Sequence, residues 1–337
     1  MTPGIEVAIC THNGAGRLPA VLQAIAAQTM SSLRWSVLVV DNASTDDTAA
    51  IAHRFWPRRD VILRVVHEPR PGVKMARQRA LAETSRAFLC FCDDDNLLAP
   101  NYLEQAEKIM DDLPLAGALG GRGEPASESP LPDWFGAAAS GYAVGPQAEI
   151  EGRISDSRGY LYGAGMVVRC AAWNWISRSG FEPRLVSREG NGLNSGEDNE
   201  ICLMLLLMGW QIHYSPKLVF RHQITARKLD ENYCRALYRG FGEATGVLNA
   251  YRDFLLGRAS TQGWCICASL RVVQSWVARA KHRICPAQKS PLSEDGLRRE
   301  FAAGFADGCR KNLKGTRLFT LYGEIARWLA RESERPI

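Results

Sequence analysis

FCDDDN, residues 91–96, sets three carboxylates directly after an apolar run, and its reading decides the fold. Asp93, Asp94 and Asp95 repel one another, so the cluster needs a cation or hydrogen-bond donors beside it. The run before it, AFLCFC, reads as a strand, and the same unit recurs upstream. IEVAIC precedes a helical pattern near Leu18–Gln28, WSVLVV precedes Thr45–His53, and VILRVV precedes Val73–Ala82. Short β-branched runs alternating with helical patterns are the rhythm of a parallel sheet covered on both faces. Right-handed crossovers place the strand ends on one edge. The expected fold is α/β with a mainly parallel central sheet. Such sheets bind ligands at the carboxyl ends of their strands. Thr11-His12-Asn13, Asp41-Asn42-Ala43-Ser44 and Asp93-Asp94-Asp95 are therefore expected to face one crevice.

Downstream, residues 122–160 are rich in Gly, Pro and Ser. Trp134, Phe135, Tyr142 and Tyr160 fit either a sugar-stacking or lid loop, or core aromatics beneath a long loop. YGAGMVV (162–168) reads as a strand, with Gly163 and Gly165 marking a bulge or a close approach to a ligand, and a helix starts near Ala171. In SGEDNEICLMLLLMGW (195–210), Glu197 and Asp198 fall in the first turn of an apolar helix, where the helix dipole favours carboxylates. QIHYSPKLVFRH (211–222) reads as a short hairpin-like pair of extended runs ending at His222. Beyond it the pattern is helical. The expected division is 1–121, 122–223 and a helical basic region, 224–337. Within the last, Ile266, Leu270, Val273 and Val277 recur at helical spacing among Arg271, Arg279, Lys281 and Arg283. Such a helix either lies on a membrane surface or packs on its own domain.

Composition narrows the class. At 337 residues, 46% hydrophobic and 23% charged, the chain reads as a soluble globular protein. MTPGIEVAIC has no basic segment followed by a long apolar stretch, which gives a cytoplasmic expectation. Apolar stretches such as 201–210 fall far short of the roughly 20 residues of a membrane span. Ten cysteines occur, the closest pairs as C-x-C, so reduced thiols are expected rather than a zinc site or disulfides. The net charge of +5 is uneven: residues 224–337 hold 20 Lys+Arg against 11 Asp+Glu, and the rest 21 against 25. The basic third suits an anionic lipid surface or a phosphorylated substrate, or is a solvated helical face. No nucleic-acid partner is expected.

An Asp-rich turn at a parallel strand end binds Mg²⁺ or Mn²⁺ through hard oxygen ligands, usually together with substrate phosphates. The order of motifs then resembles family 2 of the inverting glycosyltransferases, with their GT-A nucleotide-sugar-binding fold. VAICTHNGAGRLPAVLQAIAAQT is similar to that family's opening strand, turn and helix, and VLVVDNASTDDT to its second strand and acidic turn. GVKMARQRAL resembles its A-R-N-x-A helix with Gln78 in place of Asn, and FCDDDN its metal motif. GAGMVVRCAAW followed by SGF resembles the segment leading to G-G-F, with Ser179 where Gly is usual. GEDNEICLMLLLMGWQIHYSPKLVFRH resembles the E-D-x-E helix, strand and terminal His. These motifs cover about residues 5 to 222 in family order.

The resemblance implies a metal-dependent transfer of a sugar from a UDP- or dTDP-linked donor to a hydroxyl of a glycan, lipid-linked or small-molecule acceptor. It implies Asp198 as the general base with Glu197 orienting it or the acceptor. The ion falls to Asp95, with Asp93 and His222 assisting. Thr11, Asn13, Asp41, Asn42, Arg77, Asp93 and Asp94 serve the donor. Each residue also has a plain structural reading, Asp41 and Ser44 as helix caps and His222 as a strand-end histidine among them. A nucleotidyltransferase would want a basic Gly-rich phosphate loop, and THNGAGRL has only Arg17. A binding protein that has lost catalysis is the remaining alternative, against which Asp95 and Asp198 both stand.

Overall fold

Every residue of WSVLVVDN is buried, as a strand covered on both faces must be, and β2 (Trp35–Asn42) lies between β1 (Thr2–Thr11) and β3 (Leu63–Glu68). The computed structural model describes residues 1–154, 159–185, 196–284, 292–312 and 317–331; the side chains at 275, 276, 278–284 and 309–312 lie outside that description. The expectations placed on Arg279, Lys281 and Arg283 therefore fall outside the described side chains.

After β1 come α1 (Leu18–Ala26), β2, α2 (Thr48–Phe55), β3, α3 (Val73–Glu83) and β4 (Arg86–Asp93). Then follow β5 (Asn96–Leu98), α4 (Tyr102–Asp112), β6 (Ala116–Ala126), α5 (Phe135–Ala138), β7 (Gly152–Arg153), β8 (Val167–Arg169) and α6 (Cys170–Arg178). The last elements are α7 (Glu197–Leu207), β9 (Gln211–Gln223), α8 (Glu231–Leu255), α9 (Trp264–Ile284), α10 (Glu294–Asn312) and α11 (Arg317–Arg331). Strands run in the order β3-β2-β1-β4-β8-β6-β9-β5, with β7 on β9. The β1–β2, β2–β3, β1–β4 and β6–β9 pairs are parallel, and β8, β5 and β7 pair antiparallel. The sheet is mixed and mostly parallel, as its sequence rhythm implies. Val7, Ile9, Leu22, Val39 and Phe88 stand in its core.

One expectation needs correction. Residues 211–223 form a single strand rather than two runs. Tyr214 pairs with Gly120 and Val219 with Arg122, so residues 215–218 are taken up in a bulge. Pro216 sits there, where its missing N–H costs no ladder bond. Of the loop aromatics, Phe135 and Tyr142 are buried.

The chain forms two compact units that interleave along the sequence. One comprises Met1–Glu128, Tyr142–Trp175 and Trp210–Thr225; the other comprises Ser129–Gly141, Ile176–Gly209 and Ala226–Ile337. In the second unit α7 is apolar on all sides, with Ile201 through Leu207 buried, as a fully covered helix should be. Asp230 caps α8, accepting from the N–H groups of Asn232 and Tyr233. Asp253 of α8 is fully buried and accepts from Arg271 Nε and Nη2 (2.8 and 2.6 Å) and from Tyr322 Oη (2.5 Å), which ties α8, α9 and α11 together. Ser179, where the resembling family has Gly, accepts from Trp328 Nε1 at 2.7 Å, and the Trp328 ring stacks on Phe181 at 4.4 Å.

Candidate functional site

Parallel pairing brings the polar clusters of the first unit to one level: Thr11 lies beside Asp41, and Cys10 beside Asp93. The loops after β1 and β2 interlock. Asn13 N donates to Ser44 Oγ (2.9 Å) and Asn13 Oδ1 accepts from Thr45 N (2.8 Å). Gly14 N donates to Thr48 Oγ1 (2.9 Å). Asn13 and Ala43 hold left-handed backbones (φ 49° and 53°), which Asn tolerates and Ala adopts at a cost. Asn42 donates to the carbonyls of Glu68 and Arg70 and accepts from Gly72 N, so all its amide atoms hold the turn before α3. Asp41 accepts from Ser44 N at 3.3 Å and lies 3.7 Å from His67 Nδ1, its register partner on β3.

The acidic triplet divides into three environments. Asp94 accepts from Thr11 Oγ1 (2.6 Å) and Arg17 Nη2 (2.7 Å), which fastens the β1–α1 loop to the end of β4. Gly14 makes this possible, because a Cβ there would lie 1.9 Å from Thr11 Oγ1. Asp93 is more exposed and lies 3.6 Å from Arg77, whose buried guanidinium rests over the Phe91 ring and against Gly163. Asp95 accepts from Asn96 Nδ2 (3.0 Å) and approaches His222 Nε2 at 3.5 Å, with Gln223 N donating to its carbonyl (2.8 Å). Burial pushes the Cys10 thiol up to about 12; Arg77 opposes that shift and Asp93 and Asp94 add to it, so the thiol beside the triplet stays neutral.

The Asp95–His222 pair fits a hard divalent ion. His222 Nδ1 lies 2.5 Å from the Tyr142 carbonyl and donates to it, which sets Nε2 toward Asp95 Oδ2 at 3.5 Å. An ion held there would meet one carboxylate oxygen and one ring nitrogen. A ring nitrogen oriented by a carbonyl is the usual support of a metal-binding His. Among the described residues no three His, Cys, Asp or Glu side chains converge as a closed cage. Asp93 thus does not join the pair as a third arm. An ion there would complete its shell with water and phosphate oxygens, as Mg²⁺ commonly does.

In the second unit Glu197 and Asp198 open α7 as expected, Glu197 accepting from Gly196 N (2.9 Å) and Asp198 from Asn199 N (3.0 Å). The third acid of that turn, Glu200, is fully buried. It accepts from the N–H groups of Arg184 (2.6 Å) and Leu185 (2.9 Å) and from Tyr251 Oη (2.5 Å), joining residues 184–185, α7 and α8. Arg17 and His67, beside the carboxylates of the strand edge, and Glu200, on α7, are residues to which sequence reading gave no role. His67 had a signal, since it follows the VILRVV run as Asp41 follows WSVLVV.

Comparison with known proteins gives concordant findings. The sequence model of the family described as Glycosyl transferase family 2 matches residues 6–172, the span holding Thr11, Asp41, Arg77 and the acidic triplet. Glycosyltransferase AglE of Haloferax volcanii is 32% identical over 103 residues, 31% of this chain and 34% of AglE. The chain thus spans about a third of the length of the curated relatives it matches. S. aureus TarS 1-349 in complex with UDP-GlcNAc superposes with a TM-score of 0.54 over 93% of this chain and 92% of that one, at 16% identity. Mannosyltransferase PcManGT from Pyrobaculum calidifontis, in complex with GDP-Man and Mn²⁺, gives 0.52 over 99% and 88%, at 18% identity. At such identities the likeness is one of fold.

Proposed function

This chain belongs to glycosyl transferase family 2, and on that premise we propose that it transfers a sugar, with inversion, from a nucleotide-sugar donor to an acceptor hydroxyl. The observation that carries this reading is the Asp95–His222 pair at the strand edge where Thr11, Asp41 and Asp93 also end. Asp41 accepts an N–H of the base, which uracil and thymine both offer, in keeping with a UDP- or dTDP-linked donor. On this fold TarS carries UDP-GlcNAc, and PcManGT carries GDP-Man and Mn²⁺. Asn13 and Asn42 act through the loops they hold. Arg77 holds Asp93, and Asp94 holds Arg17 beside the phosphates, where a guanidinium suits a diphosphate.

Asp95 and His222 would hold Mg²⁺ or Mn²⁺. Such an ion supplies charge neutralisation of the diphosphate as it leaves. Asp198 takes the acceptor hydroxyl proton while that oxygen bonds to the anomeric carbon from the face opposite the departing diphosphate oxygen, which leaves with the bonding electron pair. Its place in the first turn of α7 sets it where the helix dipole favours a carboxylate. Glu197 orients Asp198 or the acceptor. The acceptor is a hydroxyl of a glycan, a lipid-linked sugar or a small molecule, met at the cytoplasmic face of an anionic membrane.

A panel of nucleotide sugars with Mn²⁺ tests this reading. One donor is expected to raise the melting temperature and to release its nucleoside diphosphate. Asp198→Asn should keep the thermal shift and lose turnover. Turnover equal to wild type in that variant, or no response to any donor, would sink the proposal; release of pyrophosphate would point to nucleotidyl transfer.

A further inference from the structure

Three parallel strands of the first unit end in one row. Thr11 of β1 is the register partner of Asp41 on β2, and Asp41 is that of His67 on β3, so the three side chains stand on the same face of the sheet. Among the described residues β3 is the outermost strand on that side, and the His67 side chain is 59% exposed. Most polar groups around it are committed elsewhere. Thr11 donates to Asp94, the amide of Asn42 holds the turn before α3, and both oxygens of Glu68 accept from Arg70. Asp41 Oδ1 accepts from Ser44 N, which leaves Oδ2 toward a ligand. That oxygen is the one facing His67.

A second histidine on this edge behaves differently. His12 is exposed as well, but its Nδ1 donates to the Asn42 carbonyl at 2.8 Å and its Nε2 accepts from Asn13 Nδ2 at 3.2 Å. Both ring nitrogens are spent, so His12 has no hydrogen bond left for a ligand. His67 Nδ1 lies 3.7 Å from Asp41 Oδ2, beyond hydrogen-bond length, and no hydrogen bond among the described residues uses its ring. A neutral or charged imidazole always carries an N–H. The row therefore presents an open acceptor, Asp41 Oδ2, beside an open donor. Their complement is a flat ring edge bearing an N–H next to a carbonyl. Uracil and thymine have that edge, with N3–H between the carbonyls at C2 and C4. Once Asp41 takes the N–H, the adjoining carbonyl is left to find a donor, and leaving it unpaired costs affinity.

We propose that His67 reads the nucleobase of the donor: its ring N–H donates to a carbonyl of uracil or thymine while Asp41 accepts from the neighbouring N3–H. This role rests on the nucleotide-sugar reading given above and deepens it by a specificity-determining residue. The test is titration of the full chain, as wild type, His67→Phe and His67→Gln, with UDP, 2-thio-UDP and 4-thio-UDP. Thiocarbonyl sulfur accepts a hydrogen bond poorly, so wild type should bind one of the two analogues about three- to tenfold more weakly than UDP, the worth of one hydrogen bond. His67→Phe keeps a ring but no N–H. It should bind UDP more weakly by a similar factor and should no longer distinguish that analogue from UDP. His67→Gln retains an N–H and should recover part of both effects. A side chain that only shaped β3 would alter UDP affinity and leave the analogue penalty in place. Three results would overturn the role of His67 while leaving the donor reading intact: His67→Phe binding UDP as wild type does, an analogue penalty of equal size in wild type and His67→Phe, or wild type binding both analogues as well as UDP. Failure of wild type to bind UDP or dTDP at all would strike the donor reading itself, and the role of His67 with it.

Discussion

The two acidic clusters, Asp93-Asp94-Asp95 after β4 and Glu197-Asp198-Glu200 on α7, share a division of labour but differ in how they are braced. In each, one carboxylate is held by protein donors. Asp94 takes Thr11 and Arg17 near the surface, and Glu200 takes two backbone N–H groups and a tyrosine hydroxyl at full burial. The first brace is a partly exposed ion pair, Arg17 being 43% exposed, which solvent weakens. The second uses neutral donors in a dry site, where each bond to a charged acceptor counts for more. Loops at the strand edge are thereby held lightly, and the approach to α7 is held firmly. The proposed donor edge benefits from the former, and the proposed base benefits from the latter.

Changing the proposed base should have the largest effect. Asp198→Asn is expected to lower turnover by about 10²–10⁴-fold, the span of general-base catalysis, with donor affinity unchanged; single-turnover kinetics beside a binding titration separates the two. Asp253, fully buried like Glu200, sharpens the contrast because an arginine is among its donors. Burial raises the pKa of Asp253, but the bonds from Arg271, Tyr322 and Cys267 more than offset it, and the net shift is downward from 3.8. A depressed folded pKa means a stabilising contribution present above 3.8 and lost as pH falls through the folded value. Asp253→Asn should cost about 3–5 kcal/mol at neutral pH, because Arg271 loses its partner, and should flatten the acid limb of the stability profile measured by urea titration.

The braces themselves come next. Glu200→Gln keeps one acceptor oxygen for three donors and should cost about 1.5–3 kcal/mol, measured by chemical denaturation, with a fall in kcat and little change in donor KM. Arg17→Ala should cost at most about 1 kcal/mol of stability yet raise donor KM. Reversal of these two KM effects would break the distinction between a lightly held donor edge and a firmly held α7.

The donor edge was legible in sequence because strands buried on both faces read as unbroken apolar runs, and the residues that follow them are the ones at the sheet edge. Thr11, Asp41 and Asp93 were found that way, and His67 would have been had the same rule been carried to β3. Glu200 was not legible. Its donors lie 15 and 16 residues earlier, at Leu185 and Arg184, and nothing local signals that the chain returns alongside. The reading of 211–222 as two runs erred in the opposite sense, since Pro216 sits here in a bulge of one continuous strand. Spacing gave the α9 stripe, yet periodicity says only that a face is apolar, not whether the core takes it. Buried Cys267 and Ala268 hold that place with small side chains.

The most direct test of the central claim, that Asp95 and His222 grip a divalent ion jointly with the donor diphosphate, is electron paramagnetic resonance of Mn²⁺ titrated into the protein with and without nucleoside diphosphate. Tight binding is expected only when both the diphosphate and Asp95 are present, and it should vanish in Asp95→Asn. Equal Mn²⁺ binding by that variant, or donor binding undiminished by a chelator, would contradict it.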